Sequence, residues 1–119
     1  MSALGDHRAD LVARLVVTAP AGVAVTANPA ALPPMILVDL VTLDERPARG
    51  LWQGTCPVKC VVPAPGDTAA AALLEDMVEA VMAALGWATA IPGQYRPNVD
   101  TTLPMYELLY PAHIPDPTC

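Results

Sequence analysis

The amino-acid sequence predicts an α/β (α+β) fold: a mixed or antiparallel sheet of about four strands, with two helices packed on one face. Three observations favour it. A short helical pattern opens the chain, apolar segments with the two-residue period of strands follow, and a longer amphipathic helical pattern precedes the last strand. The 119 residues suffice for a single domain, predicted at residues 1–110, with a proline-rich tail at residues 111–119.

The first helix is predicted over residues 7–17, with Asp6 as its N-cap residue. Leu11, Val12 and Leu15 fall on one face, as expected of a helix that packs against a sheet. A proline and a glycine follow shortly afterwards and are predicted to end the helix.

Residues 35–43 give the strongest strand signal, after a short strand-prone piece at residues 23–26. Both alternating faces of this segment are mainly apolar, so the strand is expected to be covered on both faces. One helix layer can cover one face, and the other needs a partner subunit or a loop. Asp39 is the single charge in the run, so its surroundings must be polar or must pair with it.

Residues 44–54 carry several charged residues and glycines and are predicted to form a long exposed hairpin loop. Two interpretations stay open, a solvated connector and an arm that contacts a partner. Arg46, Arg49 and Trp52 belong to residue types that are enriched at interface hot spots. These three residues are therefore the candidate protein-interaction residues.

Residues 55–62 alternate again, and Cys56 and Cys60 are predicted to face inward as small apolar residues. Four positions along a strand separate them by about 13 Å, which is too far for a disulfide. The odd number of cysteines, 3, fits a reducing compartment. Pro57 cannot donate a ladder hydrogen bond, so this strand is predicted to begin there or to lie at an edge.

The second helix is predicted over residues 67–85, and Gly86 suits the position after its end. Glu75, Asp76 and Glu79 lie on its polar face and are interpreted as a solvent-exposed or channel-facing acidic surface. Paired carboxylates for acid–base chemistry are the alternative, although no histidine is placed to join them. The opposite, apolar stripe comprises Leu74, Met77, Val78, Val81 and Leu85.

Residues 87–100 are predicted to form a loop that packs its aromatic side chains on the sheet. Trp52 and Trp87 are expected to be the bulky anchors of a core that contains no phenylalanine. The last strand is predicted at residues 101–110, and Pro104 places it at an edge of the sheet.

The composition argues against several classes of protein. The net charge is −6 and the 6 basic residues are spread without a run, so binding to a nucleic-acid backbone is not expected. No apolar run approaches the roughly 20 residues that span a membrane, and no targeting segment is visible. A core of this size is marginal alone, and association with further copies would stabilise it.

Motifs of known chemistry are missing. The chain has no glycine-rich phosphate loop, no nucleophile elbow and no set of paired metal ligands, and its single serine is Ser2. The histidines, His7 and His113, cannot be paired by sequence with a nucleophile or a ligand set. The sequence therefore predicts a protein that is not an enzyme, with no catalytic residue, no cofactor and no metal.

Six short segments, spread over about residues 3–110, define the order of the elements. They read Pro-Ala-Gly-Val-Ala-Val (20–25), Leu-Pro-Pro-Met-Ile-Leu-Val (32–38), Cys-Pro-Val-Lys-Cys-Val-Val-Pro (56–63), Gly-Asp-Thr-Ala-Ala-Ala-Ala-Leu-Leu-Glu-Asp-Met (66–77), Leu-Gly-Trp (85–87) and Leu-Pro-Met-Tyr-Glu-Leu (103–108). In this order the chain resembles the tail terminator (tail completion) proteins of long-tailed, siphovirus-type phages. It departs from a simple match in its proline-rich tail and in the length of residues 44–54.

The resemblance implies a mixed sheet with helices packed on it and a homohexameric ring at the head-proximal end of the tail tube. Such a ring stops polymerisation of the tail tube protein, meets the head-completion (neck) proteins and lets DNA pass through its lumen without specific binding. The implied location is the tail–neck junction of the virion, after synthesis in the host cytoplasm. The alternatives are another head–tail connector protein, such as a head-closure or joining ring, and a small peptide-binding module.

Overall fold

The computed structural model describes residues 3–28, 31, 33–43, 51–63, 68–95 and 103–115. These residues form two α-helices, α1 (Ala3–Thr18) and α2 (Thr68–Leu85), and six β-strands. The strands are β1 (Ala24–Thr26), β2 (Met35–Val38), β3 (Thr42–Leu43), β4 (Leu51–Val61), β5 (Ala90–Tyr95) and β6 (Leu103–Pro115).

The six strands form one mixed sheet in the order β1-β2-β4-β6-β5, and β3 pairs with β4 beside β2. Strands β1 and β2 are parallel, and the other pairs are antiparallel. The predicted α+β class with two helices is confirmed. The sheet has six strands where about four were predicted. Two strands are additional. The strand predicted at residues 35–43 is divided into β2 and β3, and β5 lies in residues 87–100, which were predicted as a loop.

Both helices pack on the same face of the sheet. Leu11 and Leu15 of α1 and Met77 and Val81 of α2 are buried against alternate residues of the central strands. The Thr18 hydroxyl donates to the Ala80 carbonyl at 3.0 Å and ties the end of α1 to α2. The buried members of this main core are Leu11, Leu15, Ile36, Val38, Cys56, Val58, Cys60, Val62, Leu74, Met77, Val81, Ala88, Leu108, Tyr110, Ala112 and Ile114.

The helix limits confirm part of the prediction. Helix α1 begins at Ala3, so Asp6 lies within its first turn and the prediction of Asp6 as N-cap was wrong. A carboxylate in the first turn is still favourable because the helix dipole is positive there. Helix α2 ends as predicted: Gly86 has φ +94, and its N–H donates to the Met82 carbonyl at 2.8 Å.

The predicted strand at residues 35–43 is interrupted opposite Pro57. The Asp39 N–H donates to the Pro57 carbonyl at 3.0 Å, but Pro57 has no N–H to return the bond, and β2 ends at Val38. The Asp39 carbonyl, which would accept the missing N–H, instead accepts from the Cys56 thiol at 3.7 Å. Pro57 itself lies inside β4, between β2 and β6, so the prediction that it begins a strand or marks an edge was wrong.

Strand β6 runs from Leu103 to Pro115 between β4 and β5, so the edge position predicted from Pro104 was also wrong. The strand reaches five residues into the segment predicted as a tail. Pro104 stands at the start of the strand, where its carbonyl accepts from the Val62 N–H at 3.1 Å. Along a strand, the backbone N–H and C=O groups of every second residue point to the same neighbouring strand, so those of the even-numbered residues of β6 point to β4. The backbone nitrogen of Pro111 therefore points to the side of β5. Because the pairing of β5 with β6 ends at Leu108, no N–H is needed at Pro111.

The two tryptophans behave differently. Trp52 lies on β4 opposite Ile114 and packs half-buried against the main core, as predicted. Trp87 is 88% exposed, so the prediction that it anchors the core was wrong. It directly follows Gly86, whose left-handed backbone ends α2, and the next residue, Ala88, takes the buried position instead.

Strand β2 is buried on both faces, as predicted. Ile36 and Val38 face the helices, whereas Met35 and Leu37 face the opposite side of the sheet. On that second side Met35 and Leu37 are buried within the chain, in a small cluster shared by β2, β4, β5 and β6. Its buried members are Met35, Leu37, Val61, Tyr95 and Leu103.

Candidate interaction surfaces

The face of the sheet opposite the helices, named the open face below, is exposed around Ile91 and Leu109 and buried around Met35 and Leu37. It carries a row of charged side chains between these two regions. The register places Leu37, Lys59, Glu107 and Ile91 side by side on β2, β4, β6 and β5. Lys59 Nζ lies 2.8 Å from an Asp39 carboxylate oxygen and 3.9 Å from a Glu107 carboxylate oxygen. It also lies 5.8 Å from the centroid of the Tyr95 ring. Lys59 is therefore the cation next to two half-buried carboxylates, those of Asp39 and Glu107. These three side chains together have a net charge of about −1.

The environment of Asp39 explains why a carboxylate is tolerated next to an apolar strand. Burial alone would raise the pKa of Asp39, but the hydrogen bond from Lys59 and that from the Leu40 N–H, together with the charges of Lys59 and Arg8, lower it below its ordinary value of 3.8. Arg8 is itself fixed, because its Nη2 donates to the carbonyls of Ala27 at 3.0 Å and Val38 at 3.1 Å. The prediction that Asp39 has polar or paired surroundings is confirmed.

Removing the Lys59 charge is expected to destabilise the protein more near pH 7 than near pH 3. A carboxyl group with a lowered pKa stabilises the fold above its ordinary value of 3.8, and this stability is lost as the pH falls through the folded pKa. In Lys59→Met, burial without the lysine favours the protonated form of Asp39, so the loss of stability shrinks in acid. Urea unfolding of Lys59→Met and of the parent protein at both pH values measures the difference.

The matched control for this prediction is Arg14→Met. Arg14 Nε pairs with Asp10 at 3.2 Å, but both side chains are largely exposed on α1. Exposed pairs contribute little, so this variant is expected to change the free energy of unfolding slightly and equally at both pH values. An equal loss for Lys59→Met at both pH values would contradict the role given to the ion pair.

Apolar side chains surround the charged row. Ile91 is 43% exposed and Leu109 is 38% exposed on the open face, next to Glu107 on β5 and β6. Pro57 is the cross-strand partner of Leu109 on β4. This patch of Lys59, Glu107, Ile91, Leu109 and Pro57, named the open-face patch below, combines both signs of charge with exposed apolar area.

The predicted acidic surface is present on α2. Glu75, Asp76 and Glu79 are all exposed, as their spacing predicted. Glu75 and Glu79 also line a cavity of about 220 Å³ with Val78 and with Tyr106 of β6. The arrangement gives α2 a negatively charged outer side. The cavity is lined by two carboxylates without a histidine among the lining residues, and such a pair does not define acid–base chemistry.

The two histidines, which the sequence could not pair, line the same cavity of about 340 Å³. His7 and Asp6 come from α1, and His113 comes from the last part of β6. His7 Nε2 is buried without a hydrogen-bond partner among the described residues. Within that part of the chain, no group of three or more histidine, cysteine, aspartate or glutamate side chains could hold a metal ion.

The residues predicted to contact a partner are not assembled into a site by the described part of the chain. Arg46 and Arg49 lie outside the described residues. Trp52 belongs to β4, where its half-buried side chain packs on the main core.

The two cysteines of the described residues lie in the main core. Cys56 and Cys60 are buried and not disulfide-bonded, as predicted. Burial raises the pKa of Cys56 to about 11 and that of Cys60 to about 12. Thiols with such pKa values hold little thiolate near neutral pH, and these two residues therefore act as small core residues.

Comparison with known protein families finds no matching family model, and comparison with curated protein sequences finds no significant match. Within the described residues, no helix is long and apolar enough to cross a membrane.

Proposed function

We propose that the protein is a structural component of a phage virion that caps the head-proximal end of the tail tube as a homohexameric ring. In this role it stops polymerisation of the tail tube protein and forms the joint to the head-completion (neck) protein. The order of elements over about residues 3–110 carries the proposal, through its resemblance to tail terminator proteins. The described residues form a mixed sheet with two helices on one face. A mixed sheet with helices packed on it is the architecture that the resemblance implies.

The surfaces support a role in assembly. The exposed side chains of the described residues include apolar residues such as Trp87 and Ile91. Tryptophan is enriched at interface hot spots, so the exposed side chain of Trp87 is available to a partner. We place the protein in the virion, at the tail–neck junction, without catalytic activity and without a cofactor.

The charge of the chain is compatible with DNA passing through a ring. The net charge is −6, and α2 presents Glu75, Asp76 and Glu79 on its exposed side. An acidic wall repels the phosphate backbone, so DNA would move past it without binding. In this proposal the α2 surface faces the lumen of the ring.

Negative-stain electron microscopy tests the proposed function. The purified protein is imaged alone and after mixing with tail tubes of the same virus. Rings of matching diameter at one end of the tubes are expected. Rings that bind only to head or neck particles would point to another head–tail connector protein, and a monomer that ignores the tubes would reject the ring.

Arg46 and Arg49, which lie outside the described residues, supply the matching variant. Arg46→Glu combined with Arg49→Glu is expected to leave the fold intact and to reduce the fraction of capped tubes strongly, because reversal of two interface charges opposes docking. Arg14→Glu is the control, since Arg14 is an exposed arginine on α1. Capping by the double variant at the level of the control would remove residues 44–54 from the proposed interface.

A further inference from the structure

The open-face patch has the charge pattern that a second copy of the same chain would fit. We propose that two chains associate through it, face to face, about a two-fold axis that runs along the strands between β4 and β6. This inference is independent of the ring proposed above. It concerns the surface on which the free protein meets itself.

The charged row is the first argument. Lys59 and Glu107 are cross-strand neighbours on β4 and β6, and their side chains lie on the same face of the sheet. A two-fold axis between these strands places Lys59 of one copy over Glu107 of the other, and the reverse pair follows by symmetry. A contact between identical surfaces must be complementary to itself, and two adjacent opposite charges meet that requirement.

The pairing within one chain is the second argument. Lys59 Nζ is 2.8 Å from Asp39 but 3.9 Å from Glu107, so its closer bond goes to Asp39. Among the described residues, the half-buried carboxylate of Glu107 is paired with Lys59 alone, at the longer distance of 3.9 Å. A further ammonium group from a second copy would complete its charge pairing.

The apolar neighbours are the third argument. The same rotation places Leu109 of one copy over Pro57 of the other, because these two residues are also cross-strand partners on β6 and β4. Leu109 is 38% exposed and Ile91, next to Glu107, is 43% exposed. Association would remove this apolar area from water beside the paired charges, and the burial of apolar surface favours association.

Sedimentation velocity from micromolar to millimolar concentration tests the inference. The parent protein is expected to form a dimer with twice the mass of the 12.4 kDa chain. Glu107→Lys places two like charges opposite each other at both symmetric positions and is expected to raise the dimer dissociation constant at least about tenfold. Leu109→Arg is expected to have a similar effect through the apolar contact.

The control is Glu79→Lys, which makes the same change of charge on the exposed side of α2, on the helix side of the sheet. It is expected to leave the dimer intact. Circular dichroism reports whether each variant folds, and Leu109→Arg carries the test if Glu107→Lys does not. A monomer throughout the range, or a dimer that neither variant weakens, overturns the inference. A hexameric ring unaffected by both variants overturns it while leaving the proposed function in place.

Discussion

Gly54→Ala is expected to destabilise the protein by about 2 kcal/mol, because the new methyl group has no room. Gly54 lies on β4, paired with Leu43 of β3 on one side and Ala112 of β6 on the other. A Cβ there would overlap the carbonyl oxygen of Thr42 and would lie 3.1 Å from the Leu43 Cα. Both are backbone atoms, which cannot rotate away as the end of a side chain can. We therefore expect β3 to separate from β4.

Urea unfolding of Gly54→Ala and of the parent protein measures the loss. The control is Gly93→Ala on β5, where the nearest atom to the added Cβ is the flexible Met105 Cε at 3.4 Å. This control is expected to be neutral or slightly stabilising, because alanine restricts the unfolded chain more than glycine does. If the two variants have equal stability, β3 does not approach β4 as closely as described.

The position of Gly54 also shows what the sequence could and could not predict. The α2 pattern was readable because helical contacts repeat every three to four residues along the chain, and Leu74, Met77 and Val81 are buried as their spacing predicts. A glycine in a strand indicates a close approach of backbone, but the identity of the neighbour depends on sheet pairing. Because the sequence does not show that Gly54 pairs with β3, residues 44–54 are predicted as a loop, whereas β4 begins at Leu51.

The strand positions predicted from the prolines were wrong because the tolerance of a proline in a strand also depends on sheet pairing. Pro57, Pro104 and Pro111 all stand in interior strands of the sheet, where the general rule excludes them. Each is tolerated because no neighbouring strand needs an N–H from that position. Pro57 lies opposite the gap between β2 and β3, and Pro104 lies at the end of the pairing with β4. Pro111 lies beyond the last residue that pairs with β5. Such gaps are properties of the assembled sheet and have no local signal.

The charged row was predictable only in part. The single charge of Asp39 in an apolar run indicated that a partner must exist, but the partner, Lys59, lies on another strand. Glu107 joins them through the β4–β6 register, which pairs it with Lys59. His7 and His113 line the same cavity because α1 packs beside β6. Local patterns identify residues that need explanation, and strand register decides which of them meet.

Met77→Ala is expected to destabilise the protein by about 3 kcal/mol, which is a large part of the stability of a domain of this size. Met77 is fully buried at the centre of the α2 stripe, between the helix and the sheet. Replacing it with alanine removes apolar contacts and leaves a cavity that the rigid sheet cannot close. Thermal unfolding followed by circular dichroism, together with urea unfolding, measures the loss.

Met82→Ala is the matched control, because Met82 lies on the same helix but is only half-buried at the margin of the main core. Both substitutions delete the same atoms and change helix propensity equally, so the difference between them isolates burial. We expect Met82→Ala to cost less than half as much. Equal losses would mean that the helix layer does not pack through Met77. A loss confined to Met77→Ala would establish that this helix face is occupied by the sheet, which leaves the acidic face of α2 as the side available to a partner or a lumen.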